Sequence, residues 1–141
     1  MEREEKVVLD ASVITKWYTK EKGTESAIEY RDLHVEGKLT IIEPSLVMYE
    51  VTNALNYNPN FSESDVKESI ESLIDLHLEI VDPSKEMMTR IVSLARNYGT
   101  SIYDSSYLAL ARMLDVNMIT ADGKFWEKIK DDMHVQLLNI E

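Results

Sequence analysis

The chain has 141 residues, 44% of them hydrophobic and 29% charged, which is enough apolar material for a core and too much for compositional disorder. Its 15 basic and 26 acidic residues leave a net charge of −11; that excludes a protein held to nucleic acid by bulk electrostatics, but not an enzyme whose carboxylates carry cations. With no cysteine, disulfides, thiolate zinc sites, iron–sulfur clusters and cysteine nucleophiles are excluded.

The start, Met1-Glu2-Arg3-Glu4-Glu5-Lys6, is too acidic for a signal peptide, and no apolar run approaches membrane-spanning length. A cytoplasmic protein without membrane association is expected. Val7-Val8-Leu9 reads as a short buried strand ended by Asp10. A helix is predicted from Ser12, carrying Ile14, Trp17 and Tyr18 on one side, and Thr24 caps a second one running to Gly37. Leu39-Thr40-Ile41-Ile42 is the next strand, and Pro44 suits the first turn of a helix through residues 46–55. After a polar break at 56–60, Ser62 caps a helix whose expected buried stripe is Val66, Ile70, Leu73, Ile74 and His77. Residues 78–81 return as a strand. Pro83 opens a helix with Met87, Met88, Ile91, Val92, Ala95 and Tyr98 at helical spacing, and Gly99 ends it. Ser101 starts a helix carrying Tyr107, Leu108, Ala111 and Leu114. A strand over 116–120 leads to Ala121-Asp122-Gly123, a short helix around Phe125-Trp126, and a last strand over 135–138. No linker or repeat interrupts this order, so a single domain over residues 1–141 is expected. Alternating strands and helices predict an α/β fold with a mostly parallel sheet, and such sheets bind ligands beyond the carboxyl ends of their strands.

Several carboxylates fall at such places. Taken singly, Asp10 reads as a helix cap and Asp122 as an Asp-Gly turn. Glu50 is harder to accommodate: its helical neighbours are Leu46, Val47, Asn53 and Ala54, and an unpaired charge among them would cost several kcal/mol. Asp104 shares a stripe with Tyr107, Leu108 and Ala111, with a capping box to Ser101 as its simpler explanation. Together the set suggests one crevice. Carboxylates sharing a small pocket raise one another's pKa, and divalent cations relieve the conflict; all-oxygen ligands select Mg²⁺ or Mn²⁺ over zinc. Lys16 and Lys20, beyond Asp10, and Lys124 and Lys128, beyond Asp122, are the phosphate-contact candidates, with surface solubility as the plainer role. Of the histidines, His77 is expected in the core, His34 and His134 at the surface. The acidic run from Glu63 to Glu79 reads as a solvated face.

Four segments carry a family resemblance: Val8-Leu9-Asp10-Ala11-Ser12, Glu50-Val51-Thr52-Asn53-Ala54-Leu55, Tyr103-Asp104-Ser105-Ser106-Tyr107-Leu108-Ala109-Leu110-Ala111 and Met118-Ile119-Thr120-Ala121-Asp122. In order and interval they resemble the PIN-domain family, and most of all the VapC-type toxin ribonucleases of VapBC toxin–antitoxin pairs. The resemblance implies a three-layer sandwich with a mostly parallel central sheet flanked by helices. It further implies metal-dependent hydrolysis of RNA with one or two Mg²⁺ or Mn²⁺ ions, with Asp10, Glu50, Asp104 and Asp122 as catalytic metal-binding acids and Ser12 and Thr120 as their polar support. The implied partners are an RNA substrate and a cognate antitoxin. A homodimer is expected from surplus apolar groups at Trp17, Tyr18 and Met48-Tyr49. The competing reading is a non-catalytic PIN-like module that binds RNA or protein.

Overall fold

The structure, a computed structural model, describes residues 5–140. The acidic start at residues 1–4 and the terminal residue 141 lie outside the described residues. Strands β1 (Lys6–Leu9), β2 (Thr40–Pro44), β3 (Glu79–Val81), β4 (Asn117–Thr120) and β5 (Val135–Leu137) form one sheet in the order β3-β2-β1-β4-β5. Every pairing is parallel. The chain leaves β1 for β2 on one side and later enters β4 on the other, so the connections diverge at the carboxyl ends of β1 and β4. In an open parallel sheet that divergence opens a crevice.

Helices α1 (Ala11–Thr15), α2 (Thr24–Val35), α3 (Leu46–Asn56), α4 (Glu63–Asp75), α5 (Lys85–Tyr98), α6 (Ile102–Leu114) and α7 (Gly123–Ile129) flank the sheet. Val7, Val8 and Leu9 are all buried. Because successive strand residues point to opposite faces, both faces of β1 must be covered, which is the three-layer arrangement. Helix α6 packs on β1, β2 and β4 with α5 against it, while α1 and α3 pack on each other beside β4 and β2. Helix α6 accordingly buries an unbroken run, from Ser105 to Ala111.

Several local expectations are corrected. Pro44 is the last residue of β2, aligned with Val81, rather than the opening of a helix; lacking an N–H, it fits where the ladder ends, and the Ser45 N–H then donates to the Val81 carbonyl at 3.0 Å. The cap of α1 is Asp10, whose side chain accepts the Ser12 N–H, so Ser12 lies inside the helix. The cap of α2 is Gly23 and not Thr24. Helix α1 stops at Thr15, before Trp17, which turns inward: it is buried, and its Nε1–H donates to the Ala27 carbonyl at 2.7 Å. Ile74, Met88, Val92 and Leu114 are exposed, because the buried stripes of α4, α5 and α6 are narrower than their sequence patterns. His77 is not in the core: it follows α4 at φ +50° and is exposed. His34, expected at the surface, is part-buried. Its Nδ1 accepts the Ile41 N–H (3.1 Å), leaving Nε2–H to donate to the Leu76 carbonyl (3.0 Å). His134 is also half-buried, its Nε2 2.8 Å from Asp115 Oδ1.

Candidate active site

A cleft of about 480 Å³ opens at the carboxyl ends of β1 and β4. Asp10, Ser12, Lys16, Glu21, Glu50, Asp104, Tyr107 and Asp122 contribute to its lining. The four sequence-predicted acids therefore reach one cleft from four separate elements: the end of β1, the middle of α3, the first turn of α6 and the cap of α7.

Asp10 is buried and tightly held. Its Oδ1 accepts the Ser12 N–H at 3.0 Å and also the Ser12 hydroxyl. Burial raises its carboxyl to about 6, against the pull of the Ser12 and Thr120 hydroxyls. The Ser12 hydroxyl oxygen in turn accepts the Ala121 N–H at 2.8 Å, which ties the end of β1 to the end of β4. Thr120 is fully buried, and its Oγ1 accepts the Asp122 N–H at 3.1 Å. Asp122 caps α7 through Oδ1, which accepts the N–H groups of Lys124 (3.0 Å) and Phe125 (3.2 Å).

Asp104 is fixed in the first turn of α6, where its N–H donates to Ser101 Oγ at 2.9 Å. Burial raises its carboxyl, the negative charge of Asp122 adds to this, and Ser101 and Lys128 oppose it. Glu50 is half-buried; the Tyr107 hydroxyl donates to its Oε1 at 2.7 Å. Burial again raises the carboxyl, with Asp104 reinforcing the effect and Tyr107 moderating it. Among the described residues, none of these four acids has a Lys, Arg or His partner within 4 Å.

The lysine candidates divide. Lys16 lines the cleft, but its Nζ is held by Glu21 Oε1 (2.6 Å) and the Lys22 carbonyl (2.7 Å). Lys128 donates to the Gly99 carbonyl at 3.1 Å, at the end of α5, and its charge reaches Asp104. Lys20 and Lys124 are exposed and do not line the cleft.

Three side chains at or beside the cleft are not among the sequence candidates: Glu21 and Tyr107 line it, and Glu43 lies outside the lining but is electrostatically coupled to Asp10. Tyr107 fits the buried stripe of α6, which it joins, yet its hydroxyl also reaches the cleft. Glu43 lies in β2 and is wholly buried; its Oε2 accepts the Leu9 N–H at 2.8 Å and its Oε1 has no hydrogen-bond partner. The β1–β2 register runs from Lys6–Thr40 to Val7–Ile41, and the Glu43 side chain takes over the Leu9 N–H just beyond it. Burial drives its carboxyl well above the usual range, and Asp10 adds to the effect. The available signal was an acid directly after Leu39-Thr40-Ile41-Ile42 and before Pro44, obscured by reading Pro44 as the start of a helix.

A family model described as PIN domain matches residues 7–130. The chain belongs to the PIN-domain family. Over 127 residues it is 28% identical to the protein named Ribonuclease VapC3 of Pyrobaculum aerophilum, a match covering 87% of this chain and 94% of that one. The PIN fold is also that of a toxin–antitoxin complex from Klebsiella pneumoniae, with a TM-score of 0.70 at 14% identity, covering 96% of this chain and 99% of the other. VapBC2 from Rickettsia felis, crystallised with a DNA fragment from its promoter, superposes with a TM-score of 0.69 at 15% identity, covering 95% and 99%. At these identities the likeness to the two complexes is one of fold.

Proposed function

We propose that this PIN-domain chain is a divalent-metal-dependent endoribonuclease and the toxin of a toxin–antitoxin pair. The observation that carries the reading is the cleft itself: Asp10, Glu50, Asp104 and Asp122 line it together with no basic side chain among the described residues paired to any of them. The similarity to a protein named as a VapC ribonuclease supports the same reading.

The donor chemistry suits a hard cation. The four acids supply only oxygen, and the carboxyls of Asp10, Glu50 and Asp104 are raised by burial first and then by a neighbouring carboxylate, Asp104 for the first two and Asp122 for the third, as expected of crowded acids without a paired cation. Among the described residues, no three His, Asp or Glu side chains are drawn together into a finished ligand cluster, so ion binding would tighten the set. Asp10, Glu50, Asp104 and Asp122 would hold one or two Mg²⁺ or Mn²⁺ ions. When bound, such ions supply positive charge toward the phosphodiester and Lewis acidity toward the attacking water. The chain's own residues do the positioning. Ser12 and Thr120 orient Asp10, Tyr107 orients Glu50, and the α6 cap fixes the backbone of Asp104. Without a cation the cleft repels a polyanion; with the carboxylates neutralised it admits one.

The proposal includes a cognate antitoxin and a homodimer in the cytoplasm. No helix among the described residues is long and apolar enough to cross a membrane. With Trp17 buried, the apolar surface for partners shifts to Tyr49 and Tyr103, which are 78% and 62% exposed and share a shallow groove with Glu50. The deciding experiment is cleavage of a pooled RNA set in Mg²⁺ or Mn²⁺, against chelator and against Asp104→Asn. Metal-dependent cleavage lost in the variant is expected. No cleavage under any metal, with RNA or a protein partner still bound, would instead establish a non-catalytic module.

A further inference from the structure

We propose that Lys16 is the phosphate-binding cation of the cleft and that Glu21 occupies its ammonium group until a phosphodiester takes the carboxylate's place. The inference rests on the nuclease reading and adds to it how an acidic cleft recognises its substrate. Lys16 is the sole basic residue lining the cleft among the described residues, and it stands there beside five carboxylates, those of Asp10, Glu21, Glu50, Asp104 and Asp122. Its side chain is only 12% exposed. The stem passes beside Gly23, where an added Cβ would stand 3.5 Å from Lys16 Cδ, so the loop leaves the ammonium group little freedom.

That group makes two bonds of different kinds. The bond to the Lys22 carbonyl (2.7 Å) is to backbone and holds Nζ in place; the bond to Glu21 Oε1 (2.6 Å) is to a side chain 47% exposed. An ammonium group has three N–H donors, so these bonds leave one uncommitted. Glu21 presents a singly charged anion with two oxygens, one on Lys16 and the other accepting the Thr19 hydroxyl at 3.0 Å. A phosphodiester is also singly charged and also presents two anionic oxygens. Exchanging one for the other keeps Lys16 neutralised while the Lys22 carbonyl keeps it aimed. Glu21 also lowers the standing affinity for any anion, because it competes from five residues away at high local concentration.

The test uses the full chain in an Asp104→Asn background, in Mg²⁺, with a fluorescent single-stranded RNA oligonucleotide followed by anisotropy, and thermal melts alongside. Lys16→Met, which keeps the packed stem, is expected to weaken binding about tenfold and to reduce the salt slope by about one phosphate contact. Lys16→Arg retains binding. Glu21→Gln tightens binding about threefold, the scale of one exposed ion pair, and in the Lys16→Met background it changes nothing further. Equal tightening with and without Lys16 would mean simple removal of negative charge and would overturn the proposal. Weaker binding by Glu21→Gln, together with a lower melting temperature, would show a structural clamp and overturn it as well. If the wild type neither binds nor cleaves RNA with metal present, the nuclease reading fails and this proposal with it; if the wild type cleaves and the two substitutions act independently, this proposal alone fails.

Discussion

The Tyr107 hydroxyl reaches Glu50 Oε1 at 2.7 Å, joining helices whose residues lie 57 positions apart. The phenol is itself pushed well above its usual range, by burial first and then by Glu50, Glu43 and Asp10, so it stays a donor at any pH of interest. Because this bond opposes the effect of burial on Glu50, Tyr107→Phe is expected to raise the Glu50 carboxyl further. The acid limb of the cleavage pH profile then moves to higher pH, and stability falls by about 0.5–1.5 kcal/mol, as for one lost hydrogen bond. An unmoved acid limb in the variant would remove Tyr107 from the positioning of Glu50.

Asp10 makes metal-free stability depend on pH. Its carboxyl is about 6 in the fold against 3.8 for an ordinary Asp, so the folded state binds the proton more tightly than the unfolded state does. Stability is therefore greatest below the ordinary value and declines as pH rises toward 6, by on the order of 3 kcal/mol if Asp10 acted alone. Asp10→Asn keeps the cap, since Asn is as good an N-cap as Asp, and removes the charge. In chelator the variant should melt above wild type at pH 7 and close to it at pH 4. Added Mg²⁺ should raise the wild-type melting temperature at pH 7 and the variant's less. A variant that melts lower at pH 7 in chelator would show that the Asp10 charge is stabilising, contrary to this account.

Glu43 should behave in the same direction for a different reason. It is wholly buried with one bonded and one orphaned oxygen, and its carboxyl lies well above the usual range because of burial. Glu43→Gln keeps an oxygen for the Leu9 N–H and removes the ionisable group. Melts at pH 8 should favour the variant, and melts near pH 5 should bring the two together. Its cleavage rate should stay near wild type, whereas Glu43→Leu, which strands the Leu9 N–H beside Asp10, should lower the rate at unchanged KM. A Gln variant as impaired as the Leu variant would mean that the acid proton, and not the acceptor, is what the site uses.

The α/β order and the parallel sheet were legible because strand runs such as Val7-Val8-Leu9 and helix stripes such as Met87, Ile91 and Ala95 obey different periods, and because Ser62, Gly99 and Ser101 mark helix ends; Pro83, expected to open α5, instead precedes its cap, Ser84. The gathering of Asp10, Glu50, Asp104 and Asp122 in one cleft was legible because each stood at a strand end or among apolar neighbours. What sequence did not reveal depends on where short segments turn. Trp17 follows the end of a five-residue helix, so helical periodicity placed it wrongly. His77 sits at a positive φ one residue beyond the α4 cap, off the stripe that its spacing suggested. The signal of Glu43 is masked because Pro44 resembles a helix start, which places the acid in a connection rather than inside β2. The Lys16–Glu21 pair has no sequence signature, since two opposite charges five residues apart meet only if the intervening chain turns back. Gly23, at φ +87°, follows that turn as the cap of α2, where an added Cβ would stand 3.0 Å from Ile140 Cγ2.

The segment before β5 offers the opposite pH signature. Asp132 Oδ2 accepts Arg112 Nε–H (2.8 Å), a second Arg112 bond from Nη2 and the Tyr98 hydroxyl (3.1 Å), while Oδ1 accepts the His134 N–H (2.9 Å). Burial pushes the carboxyl up, but the His134 N–H and the Arg112 guanidinium outweigh it, and the group lies below the ordinary Asp range. The carboxylate thereby fastens the start of β5 to α5 and α6. Asp132→Asn keeps the shape, loses the charge, and leaves a buried amide facing a guanidinium. A loss of about 2–3 kcal/mol is expected at pH 7, below the full cost of breaking a buried pair because the Arg112 side chain is 38% exposed. A depressed carboxyl contributes stability above its unfolded value and loses it as pH falls through the folded one, so the gap between wild type and variant should narrow from pH 6 toward pH 3. Asp10→Asn instead gains stability on wild type as pH rises from 4 to 7, whereas Asp132→Asn falls further behind wild type as pH rises, so the signed differences run in opposite directions. Paired melts of Asp10→Asn and Asp132→Asn across that range separate the two: trends of the same sign would mean that one carboxylate has been assigned the wrong environment.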